Sequence, residues 1–233
     1  MRSDPPPGGR ARPGPDRAAL QARLRLLVIT DPAPACGHPL PDVVAECLEA
    51  GATAIQLRDK RGTALRLLET AEVLQPLVQA AGALFLVNDR LDVALACGAD
   101  GVHLGPDDLP VEAVRRVVPE TFLVGLSTDD PRAAAAAARA GADYLGVGAV
   151  YGTLTKDGLA DEAIGPERVA EVLSAAGLPG VGIGGITAAN AAAVAATGAG
   201  IAVIGYVMGS DRPGEAVRRL LAALSGSPSS REA

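Results

Sequence analysis

Short apolar runs recur along the chain, each followed by a few polar residues. The runs are Leu26–Thr30, Thr53–Leu57, Leu84–Val87, Gly101–Leu104, Phe122–Leu126, Tyr144–Val147, Gly180–Ile183 and Ala202–Gly205. They are short and rich in Val, Ile and Leu, the pattern of strands covered on both faces. Between them lie stretches with helical spacing, over 40–50, 63–81, 90–97, 110–117, 131–140, 166–176, 187–197 and 211–223. Strands that alternate with helices form a parallel sheet with right-handed crossovers. Eight such pairs, with no remainder long enough for a second domain, predict an α/β protein that is a single (βα)8 TIM barrel over 24–224. Residues 1–23, rich in Pro, Gly and Arg, are expected to be a disordered leader, and 225–233 a flexible tail.

A weak internal echo supports the count. Ala50-Gly51-Ala52, Cys97-Gly98-Ala99-Asp100, Ala140-Gly141-Ala142-Asp143 and Thr197-Gly198-Ala199-Gly200 each fall where a helix ends and a strand begins. Glycine there can adopt the left-handed conformation that stops a helix. These repeats belong to the end of the barrel away from the polar residues, so they read as punctuation.

Composition narrows the reading. A length of 233 residues suits one barrel, which takes roughly 200–250. The chain is 48% hydrophobic but only 2% aromatic, so the core must be built from Ala, Val, Leu and Ile. The net charge of -6, with no run of Lys or Arg, argues against nucleic acid and anionic membranes. It leaves a small anionic substrate open, because such a site needs only a few local cations. Cys36, Cys47 and Cys97 are widely spaced and lack C-x-x-C spacing, which disfavours zinc and a disulfide framework and suits a reducing cytoplasm. No apolar stretch is long enough to span a membrane, for which about 18 residues are needed.

A parallel barrel gathers the C-terminal ends of its strands at one mouth. The polar residues after the runs would therefore meet there. Gln56, Arg58 and Lys60 alternate around a strand end, so they share one face and offer an amide and two cations. Asn88-Asp89 and Asp107-Asp108 place carboxylates at two consecutive strand ends, and Mg²⁺ is typically held by one or two carboxylates plus substrate phosphates. Asp89 and Asp108 are the expected ligands; the competing use of each pair is capping the helix that follows. Thr153, Thr155 and Lys156 lie in the longest loop, with hydroxyls and an ammonium suited to a leaving diphosphate. Gly182-Ile183-Gly184-Gly185-Ile186-Thr187 follows the seventh strand and Ile204-Gly205 ends the eighth, where barrels often bind phosphate. His103 reads as a satisfied strand residue. Ser127 lacks a G-x-S-x-G elbow, so a hydrolase triad is discounted.

Taken in order, these segments resemble the thiamine-phosphate synthase family. The resemblance rests on Gln56-Leu57-Arg58-Asp59-Lys60, Leu86-Val87-Asn88-Asp89-Arg90, Gly98 to Gly105 with Asp107-Asp108-Leu109-Pro110, Gly125-Leu126-Ser127-Thr128, Ala142-Asp143-Tyr144, Thr153-Leu154-Thr155-Lys156 and Ile183-Gly184-Gly185-Ile186-Thr187. It covers nearly all of 26–224. It implies a cytoplasmic, Mg²⁺-dependent transferase with two small-molecule substrates, a pyrimidine methanol diphosphate and a thiazole phosphate. Its products would be thiamine monophosphate and pyrophosphate, and the protein could be a homo-oligomer. By position, Arg58, Lys60, Asn88 and Lys156 would contact the diphosphate, and Asp89 and Asp108 the metal. Gln56 and Ser127 would contact the pyrimidine, and Thr153, Thr155, Gly185, Ile204 and Gly205 the thiazole phosphate. Arg58, Lys60, Lys156 and Ser127 would carry the catalysis. The chain departs from the family at Pro106, commonly Gln; at Gly205, often Ser; and at Asp129, frequently His. The rival expectations are a thiazole tautomerase-like barrel and a non-catalytic paralogue that binds thiamine phosphate.

Overall fold

A computed structural model of the chain describes residues 15–31, 37–152 and 163–226. Eight parallel strands close into a barrel in sequence order: β1 Leu26–Ile29, β2 Ala54–Leu57, β3 Leu84–Asn88, β4 Gly101–Leu104, β5 Leu123–Ser127, β6 Tyr144–Val147, β7 Gly180–Ile183 and β8 Gly200–Val203. The expected TIM barrel is the fold found. Helices α2 Leu40–Glu49, α3 Ala64–Ala80, α4 Leu91–Cys97, α5 Val111–Arg115, α6 Pro131–Ala140, α7 Gly165–Ala176, α8 Ala191–Ala195 and α10 Pro213–Leu224 alternate with the strands. Two further helices, α1 Arg17–Arg23 and α9 Gly205–Met208, lie outside that alternation.

The strands hold because nearly every residue in them is buried on both faces. Leu26, Val28, Ile55, Leu84, Leu86, Val102, Leu145 and Ile201 are fully excluded from solvent. Each such side chain is worth about 1.5–3 kcal/mol of burial relative to exposure. Small helix residues, Ala71, Ala94, Ala134 and Ala191, let the outer layer sit close to the barrel wall.

The glycine echoes do what their position predicts. Gly98 and Gly141 are left-handed C-caps of α4 and α6, with φ of 70° and 101°. The aspartates that follow them fasten the strand starts. Asp100 accepts the Phe85 N–H at 2.8 Å, and Asp143 accepts the Val124 N–H at 2.8 Å. Asp143, buried, also pairs with Arg115, whose guanidinium donates to the carbonyls of Gly141 and Phe122, both at 2.7 Å. This polar stitching lies at the N-terminal end of the strands and supports the fold.

Three expectations are corrected. The leader does not stay irregular to residue 23, because α1 begins at Arg17. Asp16 caps it by accepting from Ala18 and Ala19 N–H, Leu20 is buried, and the Gln21 amide pairs with both backbone groups of Gly180 at 2.9 and 3.2 Å. Strand β8 lies two residues earlier than predicted, and the chain turns helical at Gly205 after Ile204 leaves the extended region. Helix α8 is shorter than 187–197, because the Asn190 side chain ties the preceding turn by accepting from Thr187 N–H at 2.8 Å and donating to Gly185 O at 3.0 Å. At the C-terminus, Ser225 Oγ accepts from Arg25 at 2.7 Å; the rest of the predicted tail, 227–233, lies outside the described residues.

Candidate active site

The ladder sets which side chains face the barrel interior. It aligns Ile29 with Gln56, Asn88 with His103, and Ser127 with Gly146. At the C-terminal mouth these residues line one pocket with Arg58, Ile183 and Ile204. Gln56, Arg58, Asn88, Ser127 and Ile204, expected at the site, are therefore brought together. Apolar Leu27, Ile29, Val181 and Ile183 form much of the remaining wall.

Arg58 sits on the extension of β2, two residues past Gln56 and on the same face. The Thr30 hydroxyl accepts from Arg58 N–H at 2.9 Å and donates to Arg58 O at 3.1 Å, which fixes the backbone. The Arg58 guanidinium, only 10% exposed, donates to Asp31 at 3.1 Å. Lys60 lies further out and is half-exposed; its ammonium donates to Asp89 at 2.5 Å.

Asp89 and Asp108 do not cap helices. The N-cap of α4 is Arg90 and that of α5 is Pro110, and neither makes a side-chain cap bond. Asp89 instead adopts φ 61°, the one positive-φ non-glycine among the described residues. This left-handed conformation is tolerated by Asp but is unfavourable, and such positions cluster at functional sites. Its N–H is tied to His103 O at 2.8 Å. The Asp108 carboxylate accepts the Gly105 N–H at 2.7 Å and lies beside the Asp89 carboxylate. Burial first, then this neighbouring carboxylate, pushes the Asp108 carboxyl above the usual range, against the pull of the Gly105 N–H and Lys60. Among the described residues no three or more His, Cys, Asp or Glu converge. Two adjacent carboxylates at the strand ends, with Lys60 beside them, do fit Mg²⁺, which completes its shell with waters and substrate phosphates. Asp107 is exposed.

Deeper in the pocket, the Gln56 side chain is buried and its Nε2 has no hydrogen-bond partner among the described residues. A buried amide left unpaired costs about 1–3 kcal/mol. Native folds rarely accept this without a use for the group. Ser127 Oγ lies 2.8 Å from His103 Nε2, and His103 Nδ1 lies 3.0 Å from the Tyr144 hydroxyl.

The glycine turn after β7 is sterically required. Gly184 and Gly185 have φ of 103° and 64°. A Cβ on Gly184 would lie 2.7 Å from Ala149 Cα, and one on Gly185 2.6 Å from Gly152 O. Tyr151 N–H donates to Gly184 O at 3.1 Å, so the chain leaving β6 runs alongside the end of β7. Gly185 is exposed, and Gly205, also exposed, opens α9 on the neighbouring strand end. Thr153, Thr155 and Lys156 lie outside the described residues. Pro106 and Asp129, where the chain departs from the resemblance, are exposed.

Two features escaped the sequence reading. Asp31, the partner of Arg58, immediately follows the first apolar run and obeys the same rule as the other mouth residues. The link from Ser127 through His103 to Tyr144 crosses three strands, and its only trace in the sequence is a pair of glycines, Gly125 and Gly146, that leave it room.

The sequence pattern of the family described as thiamine monophosphate synthase matches residues 26–207. The chain belongs to the thiamine monophosphate synthase family. Among its relatives, the thiamine-phosphate synthase of Haloarcula marismortui is 44% identical over 200 residues, 84% of this chain and 95% of that protein. The thiamine-phosphate synthase of Roseiflexus castenholzii is 47% identical over 194 residues, 83% of this chain and 85% of that protein. The solved structure of a thiamine phosphate pyrophosphorylase from Pyrococcus furiosus superposes with a TM-score of 0.81 at 39% identity, covering 89% of this chain and 98% of that one. A 3-hexulose-6-phosphate synthase, at 20% identity and a TM-score of 0.62, shares the fold alone. No helix among the described residues is long and apolar enough to cross a membrane.

Proposed function

We propose that the chain condenses the pyrimidine methanol diphosphate with the thiazole phosphate, giving thiamine monophosphate and pyrophosphate. The observation that carries this reading is the convergence at one mouth of two cations, Arg58 and Lys60, with two adjacent carboxylates, Asp89 and Asp108, and a buried Gln56 Nε2 that has no partner among the described residues. Neither rival is favoured. A tautomerase moves a proton and needs neither the carboxylate pair nor the cations. A binding-only paralogue has no use for a strained Asp89.

In this reading the bond between the pyrimidine methylene and the diphosphate oxygen breaks first, its electron pair leaving with pyrophosphate. The lone pair of the thiazole nitrogen then closes the new C–N bond. No protein nucleophile is required. Arg58, held nearly rigid by Thr30 and Asp31, orients the diphosphate oxygens without reorganisation. Lys60 exchanges its Asp89 contact for a substrate oxygen, with Asn88 beside it and Lys156 supplying a further cation. Asp89 and Asp108 would hold Mg²⁺, which when bound neutralises charge on the departing pyrophosphate. Gln56 and Ser127 hold the pyrimidine ring at the pocket floor. Gly185, Ile204 and Gly205, with Thr153 and Thr155, take the thiazole phosphate. Loss of water around the reacting carbon is served by the apolar wall of Ile29, Ile183 and Ile204. A cytoplasmic location fits the buried free thiols of Cys47 and Cys97.

The test is condensation by the purified chain, with thiamine monophosphate read as thiochrome fluorescence after oxidation. Product from the two substrates with Mg²⁺ is expected. Aromatisation of the thiazole tautomer without metal, and without condensation, would point to the tautomerase instead.

A further inference from the structure

Ser127, His103 and Tyr144 stand on the adjacent strands β5, β4 and β6 and form one hydrogen-bonded line, with spacings of 2.8 and 3.0 Å. A serine 2.8 Å from an imidazole is the geometry of an activated nucleophile, provided that Nε2 is the acceptor. Which ring nitrogen carries the proton therefore decides what Ser127 is.

Tyr144 decides it. Its side chain is completely buried, and its hydroxyl has His103 as its only hydrogen-bond partner among the described residues. Burial, and then the nearby Asp143 charge, push its ionisation far up, so it keeps its hydrogen. A buried hydroxyl must place that hydrogen on an acceptor, and Nδ1 is the acceptor in reach. Tyr144 O–H then donates to Nδ1, the ring proton resides on Nε2, and Nε2–H donates to Ser127 Oγ. The Ser127 hydrogen is left to point into the pocket. The opposite tautomer, or an imidazolium, would aim N–H at the Tyr144 oxygen and strand the phenolic hydrogen in the core.

The barrel wall is cut to hold this line. A Cβ on Gly125 would lie 2.2 Å from Tyr144 Cζ, and one on Gly146 would lie 3.0 Å from His103 Cε1. Both strands give up a side chain where the two rings lie, which is hard to account for if His103 were mere filling.

We propose that His103 is a positioning residue, locked by Tyr144 as the Nε2–H tautomer, and that it makes Ser127 a hydrogen-bond donor to an acceptor atom of the pyrimidine substrate and not a nucleophile. The role in turnover rests on the condensation reading above; the tautomer does not. With Gln56 Nε2, the pocket floor then offers two neutral donors, a pattern that fits the lone pairs of a heteroaromatic ring.

The chain has two histidines, His38 and His103, so ¹⁵N-imidazole labelling with His38→Gln for assignment isolates the His103 signals. In substrate-free protein at neutral pH, Nε2 is expected in the protonated range and Nδ1 in the unprotonated range. An Nδ1–H ring, a doubly protonated ring, or labelling of Ser127 by a fluorophosphonate would overturn the proposal. Tyr144→Phe is expected to mix the tautomers and to lower kcat about three- to ten-fold, the worth of one neutral hydrogen bond, with KM for the thiazole phosphate unchanged. His103→Gln, which keeps a donor, is expected to retain more kcat than His103→Leu; equal losses would overturn the positioning role. The resonance experiment needs no turnover, so it stands even if the condensation assay fails.

Discussion

Gln56 tests the link between an unfavourable feature of the free protein and its use. Its Nε2 is buried without a partner among the described residues, and replacement by Met keeps the length of the side chain while removing the amide. Relief of an unpaired buried donor is worth about 1–2 kcal/mol after loss of polar contacts at the carbonyl end. For a domain of this size that is a rise of roughly 2–8 °C in Tm. The same substitution leaves the bound pyrimidine with an unpaired acceptor, so KM for the pyrimidine diphosphate should rise about 5- to 100-fold. Differential scanning calorimetry of the ligand-free protein and steady-state kinetics at saturating thiazole phosphate measure the two effects. Together they are the signature of a group kept for binding at the expense of stability. A Gln56→Met protein that melts lower and keeps its KM would show that the amide serves the core, and the argument from its missing partner would be wrong.

Three further outcomes are expected. Asp89→Asn should lose most activity while folding normally, since Asp89 caps no helix and Asn tolerates the positive φ while removing the charge; near-normal turnover with unchanged metal dependence would remove it from the site. Lys156→Ala should slow single-turnover pyrophosphate release more than it raises KM for the thiazole phosphate, and an unchanged single-turnover rate would count against its role. Arg115→Leu should leave Asp143 buried beside a lost charge partner and destabilise the fold by about 3 kcal/mol, or roughly 6–12 °C in Tm, with kcat at 25 °C unaltered because the pair lies at the opposite end of the barrel. A kcat loss without a Tm change would mean that the two ends are not independent.

The sequence makes the barrel legible because each strand is a short apolar run followed by polar residues, and a helical stretch separates each run from the next. The mouth is legible for the same reason: Gln56, Arg58, Asn88, Asp89, Asp108 and Ser127 each sit at or just past a strand end, so parallel topology alone brings them together. What it hides is what depends on contacts remote in sequence. Helix α1 follows a Pro- and Gly-rich segment and gains its place from Gln21 bonding to Gly180, far along the chain. The turn into α9 is hidden by continuous apolar composition, Ile201 to Met208, in which only backbone torsion marks the change at Ile204. His103 is indistinguishable in sequence from a packed strand residue. Its role emerges only when Tyr144 is found across the gap at Gly125. The sequence favours Asp89 and Asp108 as ligands with capping as the competing use, and the positive φ of Asp89 with the absent cap bonds speaks against capping.

The most direct test of the account is the stoichiometry of pyrophosphate release by the purified protein given the pyrimidine diphosphate, the thiazole phosphate and Mg²⁺, with thiamine monophosphate quantified in the same sample. The account predicts equimolar pyrophosphate and thiamine monophosphate, each requiring both substrates and the metal. Folded protein that binds thiamine monophosphate yet releases no pyrophosphate would contradict it.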